Sequence, residues 1–188
     1  MHRIPNILTI IRVLLIPVFI WLVFLSQSPH NVAWSLLVFV IAAFTDFLDG
    51  FLARKWNVIS DFGKIADPLA DKLLVLSALA ALTWQARSPY ELWVWIFVVI
   101  AIREVFITIL REFHKKKGFI MPADKLGKFK TVLQMAGIIA AFALWAWYPD
   151  LAAELRLAAN LWFAAVALLT LYSGLNYLMP GKITAGKE

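Results

Sequence analysis

"TDFLDGFLARKWNVISDFGKIADPLADK", residues 45–72, sets five aspartates between two apolar runs of nearly membrane-spanning length. Carboxylates beside hydrocarbon are costly unless cationic partners hold them. Asp46 and Asp49 lie three apart near the end of one apolar run; Asp67 and Asp71 lie four apart at the start of the next. On helices, each spacing puts both members of a pair on one face. Two adjacent antiparallel helices can then bring four carboxylates together across one interface. Four such anions need countercharge. Arg54, Lys55 and Lys72 supply part of it, and a hard divalent cation, or a pair of them, supplies it better. Oxygen-only donors suit magnesium, calcium or manganese and not zinc. Gly50 and Gly63 allow close approach of a backbone or ligand, and Arg54 offers a planar donor fork for phosphate.

Outward from this stretch the chain is apolar. Of its 188 residues 62% are hydrophobic and only 16% charged, with a mean hydropathy of +0.79. A soluble domain of this length cannot hide so much apolar surface, so the class expected is an integral membrane protein. Six segments approach the ~20 apolar residues a span requires: roughly 7–25, 32–54, 67–84, 91–113, 127–148 and 155–178. Trp21, Trp34, Trp84, Trp93, Trp95, Trp145 and Trp147 fall near the ends of these runs, where aromatic belts sit. No internal repeat or soluble appendage is visible, so one domain over 1–188 is expected. The first apolar run is too long for a signal peptide and "FLSQSPHN" has no small-x-small cleavage site, which reads as a retained anchor. Cysteine is absent, which removes disulfides and thiolate ligands.

The formal charge of +6 follows loop topology and forms no single patch, which argues against a nucleic-acid partner. Arg3, Arg54, Lys55, Lys64, Lys115, Lys116, Lys117, Lys125, Lys182 and Lys187 fall on one side of a six-span arrangement. Only Arg87 and Arg156 fall on the other. By the positive-inside rule both termini are expected in the cytoplasm. Arg12, Asp46, Asp49, Asp67, Asp71, Lys72, Arg103, Glu104, Arg111, Lys128 and Lys130 all lie at membrane depth near cytoplasmic ends of their spans. One polar chamber opening to the cytoplasm would collect most of them.

"DFLDGFLARKWNVISDFGKIADPLAD" resembles the signature of the CDP-alcohol phosphotransferase family. Asp46, Asp49, Gly50, Ala53, Arg54, Gly63, Asp67 and Asp71 match its fixed positions in order and spacing. The resemblance implies an all-α membrane enzyme of six transmembrane helices. Asp46, Asp49, Asp67 and Asp71 would bind the divalent metals, two Mg2+ or Mn2+ ions, and Asp71 would also be the general base. Gly50, Arg54 and Ser60 would contact the CDP moiety. "PNILTIIR" would place Asn6, Thr9 and Arg12 beside the nucleotide, as the family's N-terminal segment does; alternatively, Arg12 snorkels to the interface. Family members often pair as homodimers.

"IPNILTIIRVLLIP", "IREVFITILREF" and "GKFKT" resemble the bacterial branch of the family that takes sn-glycerol 3-phosphate as acceptor and CDP-diacylglycerol as donor. The implied products are phosphatidylglycerophosphate and CMP, and the implied setting is a bacterial inner membrane. An anionic acceptor calls for extra cations. Arg103, Ile107 and Arg111 recur at four-residue steps, and Lys128 and Lys130 open the next span. These four basic residues are the expected acceptor-phosphate ligands. Otherwise Arg103 pairs with Glu104 or a neighbouring helix, and the lysines merely follow the positive-inside rule. Two rivals stand beside this reading. A cardiolipin synthase of the same family would use phosphatidylglycerol as acceptor. A divalent-cation transporter would place its site near the midplane between repeated halves, and the acids here lie off-centre.

Overall fold

The computed structural model describes residues 4–56, 61–116, 119–120, 125–178 and 184–185; side chains are described at 9–46, 48, 69–110, 113–114, 127 and 129–175. The chain runs through α1 (Ile4–Ile20), a π-helical turn (Trp21–Leu25), α2 (Asn31–Trp56), α3 (Asp61–Trp84) and α4 (Val94–Lys116). It continues with β1 (Phe119–Ile120), α5 (Lys125–Trp147), α6 (Pro149–Glu154), α7 (Arg156–Leu178) and β2 (Thr184–Ala185). The two short strands pair antiparallel, Phe119 with Ala185 and Ile120 with Thr184. Each of the six apolar segments read from the sequence corresponds to one long helix. Among the described residues, Phe129–Trp147 and Arg156–Leu175 are long and apolar enough to cross a bilayer; Thr9–Leu25 and Asn31–Asp46 are apolar but shorter.

Three boundaries differ from expectation. Helix α3 begins at Asp61, so it takes in residues that were read as loop. Helix α4 begins at Val94 because residues 91–93 are committed elsewhere. Glu91 has a left-handed φ of 41°, the Leu92 amide donates to the Leu82 carbonyl at 3.1 Å, and the Trp93 amide donates to Asn160 Oδ1 at 2.8 Å. The separator "YPDLAAE" forms α6, with Pro149 in its first turn, where a missing N–H costs nothing.

The inward face of every long helix follows three- and four-residue steps, as helical periodicity requires. In α1 it is Thr9, Arg12, Ile16 and Phe19, continued by Val23 in the π-helical turn; in α2 Ser35, Phe39 and Ala42; in α3 Leu74, Ala78 and Leu82. In α4 it is Ile96, Ile100, Arg103 and Ile107; in α5 Lys130, Gln134, Ile138, Ala141 and Trp145; in α7 Asn160, Phe163, Ala167, Thr170 and Ser173. Phe19 centres the apolar half, with ring centroids 5.9 Å from Phe39 and 5.8 Å from Phe142. Ala70, Ala78 and Ala81 keep α3 slim enough for close neighbours. In lipid, such packing and interhelical polar links hold helices together, since burial from water is not the driving force.

The two ends of the bundle differ. At one end, Asn31, Gln85, Ser88, Tyr90 and Asn160 are buried and stitch loops to helices. Gln85 donates to the Val23 carbonyl at 3.2 Å, Tyr90 Oη to the Ala141 carbonyl at 2.9 Å, and Asn160 Nδ2 to the Tyr90 carbonyl at 3.3 Å. Exposed Trp21, Trp34, Trp84, Trp93, Trp95 and Trp147 gather near this end. Trp145, expected in the same belt, instead turns inward and packs on Phe142 at 5.6 Å. At the other end the inward stripes change from apolar to charged. Continuing the α2 stripe by its own step lands on Asp46, and stepping back along α3 from Leu74 lands on Asp71.

Candidate active site

Among the described residues Arg12 is the largest fully buried side chain. Its position on the α1 stripe aims the guanidinium at α2, where Nη1 meets Asp46 Oδ1 at 2.7 Å. A buried guanidinium without an anion would be prohibitive, so this pair is obligatory for α1 to pack as it does. Arg12 is therefore a core residue, and the alternative that it snorkels to the interface is excluded by its burial. Thr9 lies one turn earlier on the same stripe, also buried.

Across the α2–α3 interface the Asp46 carboxylate acts on that of Asp71, and Lys72, Glu104 and Arg12 also act on it. Glu104, on α4, links the acids to the bases. Lys130 Nζ, from α5, donates to Glu104 Oε1, and Arg103 Nη1 donates to the same oxygen at 3.2 Å. Arg103 Nη2 donates to Ser173 Oγ on α7 at 3.3 Å. Asp71, Lys72, Glu104, Thr131 and Gln134 line a small cleft of about 30 Å³ between α3, α4 and α5, floored by Val75, Leu76 and Met135. This charged pit lies between α3, α4 and α5, the Arg12–Asp46 pair of α1 and α2 adjoins it through Asp71, and α7 meets it through Ser173 and Arg103.

Of the residues expected at the site, Arg12, Asp46, Asp71, Arg103 and Lys130 are gathered here. The backbones of Asn6, Asp49, Gly50, Arg54, Asp67, Arg111 and Lys128 belong to α1, α2, α3, α4 or α5, but their side chains lie outside the described residues, and Ser60 lies outside them altogether. Among the described residues no group of three metal-type ligands occurs; Asp46 and Asp71 supply an oxygen-only pair. Lys130 is buried and paired, so it is more than a positive-inside charge. Glu104 reads from the sequence only as a charge at membrane depth and an alternative partner of Arg103; Gln134, Thr170 and Ser173 were not singled out. Their signal was present as polar residues at helical spacing on apolar helices, and the last two lie in a stretch that reads as generic hydrophobic sequence.

A helical bundle whose inward stripes turn charged at one end, with exposed apolar side chains around its outside, marks a membrane protein with a polar site at one end of the bundle. More narrowly, the chain belongs to the CDP-alcohol phosphatidyltransferase family, whose model matches residues 2–173. It is 39% identical over 183 residues to a protein of Escherichia coli named CDP-diacylglycerol–glycerol-3-phosphate 3-phosphatidyltransferase, covering 94% of this chain and 93% of that one. It is 37% identical over 180 residues to a Mycobacterium tuberculosis protein named "Probable phosphatidylglycerophosphate synthase" (94% and 80% covered). It is also 37% identical over 131 residues to a Streptomyces coelicolor protein named cardiolipin synthase (CMP-forming), with 68% and 59% covered.

Proposed function

We propose that this chain transfers the phosphatidyl group of CDP-diacylglycerol to sn-glycerol 3-phosphate, releasing CMP and forming phosphatidylglycerophosphate. The observation that carries the reading is a cleft lined by Asp71, Lys72 and Glu104, with Asp46 acting on Asp71 and with Arg103 and Lys130 bonded to Glu104. The relatives covered nearly end to end bear the name of this reaction.

Asp46 and Asp71, with Asp49 and Asp67 on the same two helices, would hold hard divalent cations, Mg2+ or Mn2+, through carboxylate oxygens. The bound ions would supply Lewis-acid polarisation of the pyrophosphate and offset charge on the departing CMP. Asp71 accepts the proton of the acceptor's primary hydroxyl as its oxygen bonds to the β-phosphorus and the bond to the CMP oxygen breaks. Gly50, Arg54 and Ser60, with Asn6, Thr9 and Arg12 from α1, hold the nucleotide side. Arg12, fully buried, contributes by fixing the Asp46 carboxylate. Arg103, Arg111, Lys128 and Lys130 attract the acceptor phosphate. Two of these, Arg103 and Lys130, are held by Glu104, which keeps both cations beside the cleft that Glu104 and Asp71 line.

The diacylglycerol tails of the donor stay in the bilayer, so its pyrophosphate meets the pit at headgroup depth. The positive-inside distribution supports a six-span domain in a bacterial inner membrane with both termini and the site facing the cytoplasm, and the family membership supports a homodimer. Purified protein supplied with CDP-diacylglycerol, Mg2+ and a panel of alcohols tests the acceptor. Mass spectrometry should find phosphatidylglycerophosphate with glycerol 3-phosphate. Cardiolipin from phosphatidylglycerol, with no product from glycerol 3-phosphate, would overturn the assignment.

A further inference from the structure

The cleft beside Asp71 contains two polar groups that the reading above does not use, Thr131 and Gln134. Gln134 stands one turn after Lys130 on the inward stripe of α5, and it is only 3% exposed. Among the described residues its Nε2 has no hydrogen-bond partner. A buried amide left unsatisfied costs roughly 1–3 kcal/mol, and buried polar groups are nearly always paired. The side chain lines the same cleft as Asp71, Lys72, Glu104 and Thr131. The neighbouring Thr131 hydroxyl is already turned back onto the Gly127 carbonyl at 3.0 Å. At about 30 Å³ the cleft has room for a hydroxyl-sized group.

The chemistry of the group narrows its partner. The charged side chains around it are suited to phosphate or to proton transfer, whereas an amide both donates and accepts. A half-turn of its terminal torsion presents either end without changing its shape. Its complement is a neutral group that also does both, namely a hydroxyl. Resting on the acceptor reading above, the primary hydroxyl of glycerol 3-phosphate goes to Asp71 and the phosphate to the cations, which leaves the secondary hydroxyl in need of a partner.

We propose that the Gln134 amide hydrogen-bonds the secondary hydroxyl of the acceptor, making Gln134 a specificity-determining residue that selects a vicinal diol phosphate over a simple alcohol phosphate.

The test compares kcat/KM for glycerol 3-phosphate and for 3-hydroxypropyl phosphate, which lacks that hydroxyl, in the full-length protein and in Gln134→Met. Losing one such bond should cost ~10–100-fold. The unaltered protein should therefore favour glycerol 3-phosphate by about that factor. In Gln134→Met, activity on glycerol 3-phosphate should fall by a similar factor and activity on the deoxy acceptor should barely change, bringing the preference close to one. The KM for CDP-diacylglycerol should be unchanged, and the near-isosteric variant should melt no lower than the original. Equal losses on both acceptors would make Gln134 structural and overturn the assignment. Equal use of both acceptors by the unaltered protein would overturn it without any variant. Absence of turnover with glycerol 3-phosphate in the unaltered protein would instead overturn the acceptor reading, and this assignment with it.

Discussion

Replacing Glu104 by Gln removes the anion shared by two buried cations. Arg103 is 8% and Lys130 3% exposed, and both donate to the same Glu104 oxygen. Breaking one partner out of a buried ion pair costs about 3–5 kcal/mol, because the remaining charge is left uncompensated. The Glu104 side chain is 18% exposed, which lets water relieve part of the loss and favours ~3 kcal/mol, the lower end of that range. For a chain of 188 residues, 1 kcal/mol corresponds to roughly 2–4 °C in melting temperature. Glu104→Gln should therefore melt about 6–12 °C lower in detergent. Lys130→Met alone relieves one buried cation but strands less charge, and the Glu104→Gln, Lys130→Met double variant should recover much of the loss. A double-mutant cycle by thermal melting should give a coupling of about 2 kcal/mol or more. Purely additive melting shifts, or a drop below about 2 °C for Glu104→Gln, would refute the view that Glu104 neutralises this cation pair.

Three further outcomes are expected. Arg103→Ala should raise the KM for glycerol 3-phosphate more than that for CDP-diacylglycerol; equal changes would confine Arg103 to its bonds with Glu104 and Ser173. Gly137→Ala would set a methyl 2.4 Å from Trp162 Nε1 and 3.2 Å from Phe163 Cζ. The overpacking of α5 against α7 should outweigh the gain of ~1 kcal/mol in helix propensity and lower the melting temperature by a few degrees. Tyr90, in the α3–α4 loop, is pushed up to about 12 by burial. The unfolded phenol releases its proton near its ordinary value, while the folded one holds it. Its contribution to stability is therefore fully present below pH 10 and is lost as pH rises from 10 towards 12. Tyr90→Phe should flatten that part of a melting-temperature profile.

The helices were legible because apolar runs of the right length leave few alternatives, and the aspartate spacings revealed a shared face before any packing was known. Arg12 was harder. Its sequence neighbours fit an interfacial arginine as well as a core one, and only the position of Asp46 on the facing helix decides between them. Glu104 and Lys130 are 26 residues apart, and no local pattern links them; their bond depends on how α4 and α5 cross. Gln134, Thr170 and Ser173 sit on helices so apolar that single polar residues carry little weight in composition. Their places facing the interior of the bundle emerge once the stripe positions are known. Segment boundaries slipped where tertiary bonds, such as Asn160 holding the Trp93 amide, overrode helical propensity.

The central claim is that the pit formed by Asp46 and Asp71 performs the transfer. Its most direct test is CMP release from CDP-diacylglycerol by purified Asp71→Asn, in the presence of Mg2+ and glycerol 3-phosphate, with melting behaviour confirming the fold. Loss of the base should slow turnover by ~10²-fold or more while the protein still binds CDP-diacylglycerol. Turnover within a few-fold of the original would contradict the account.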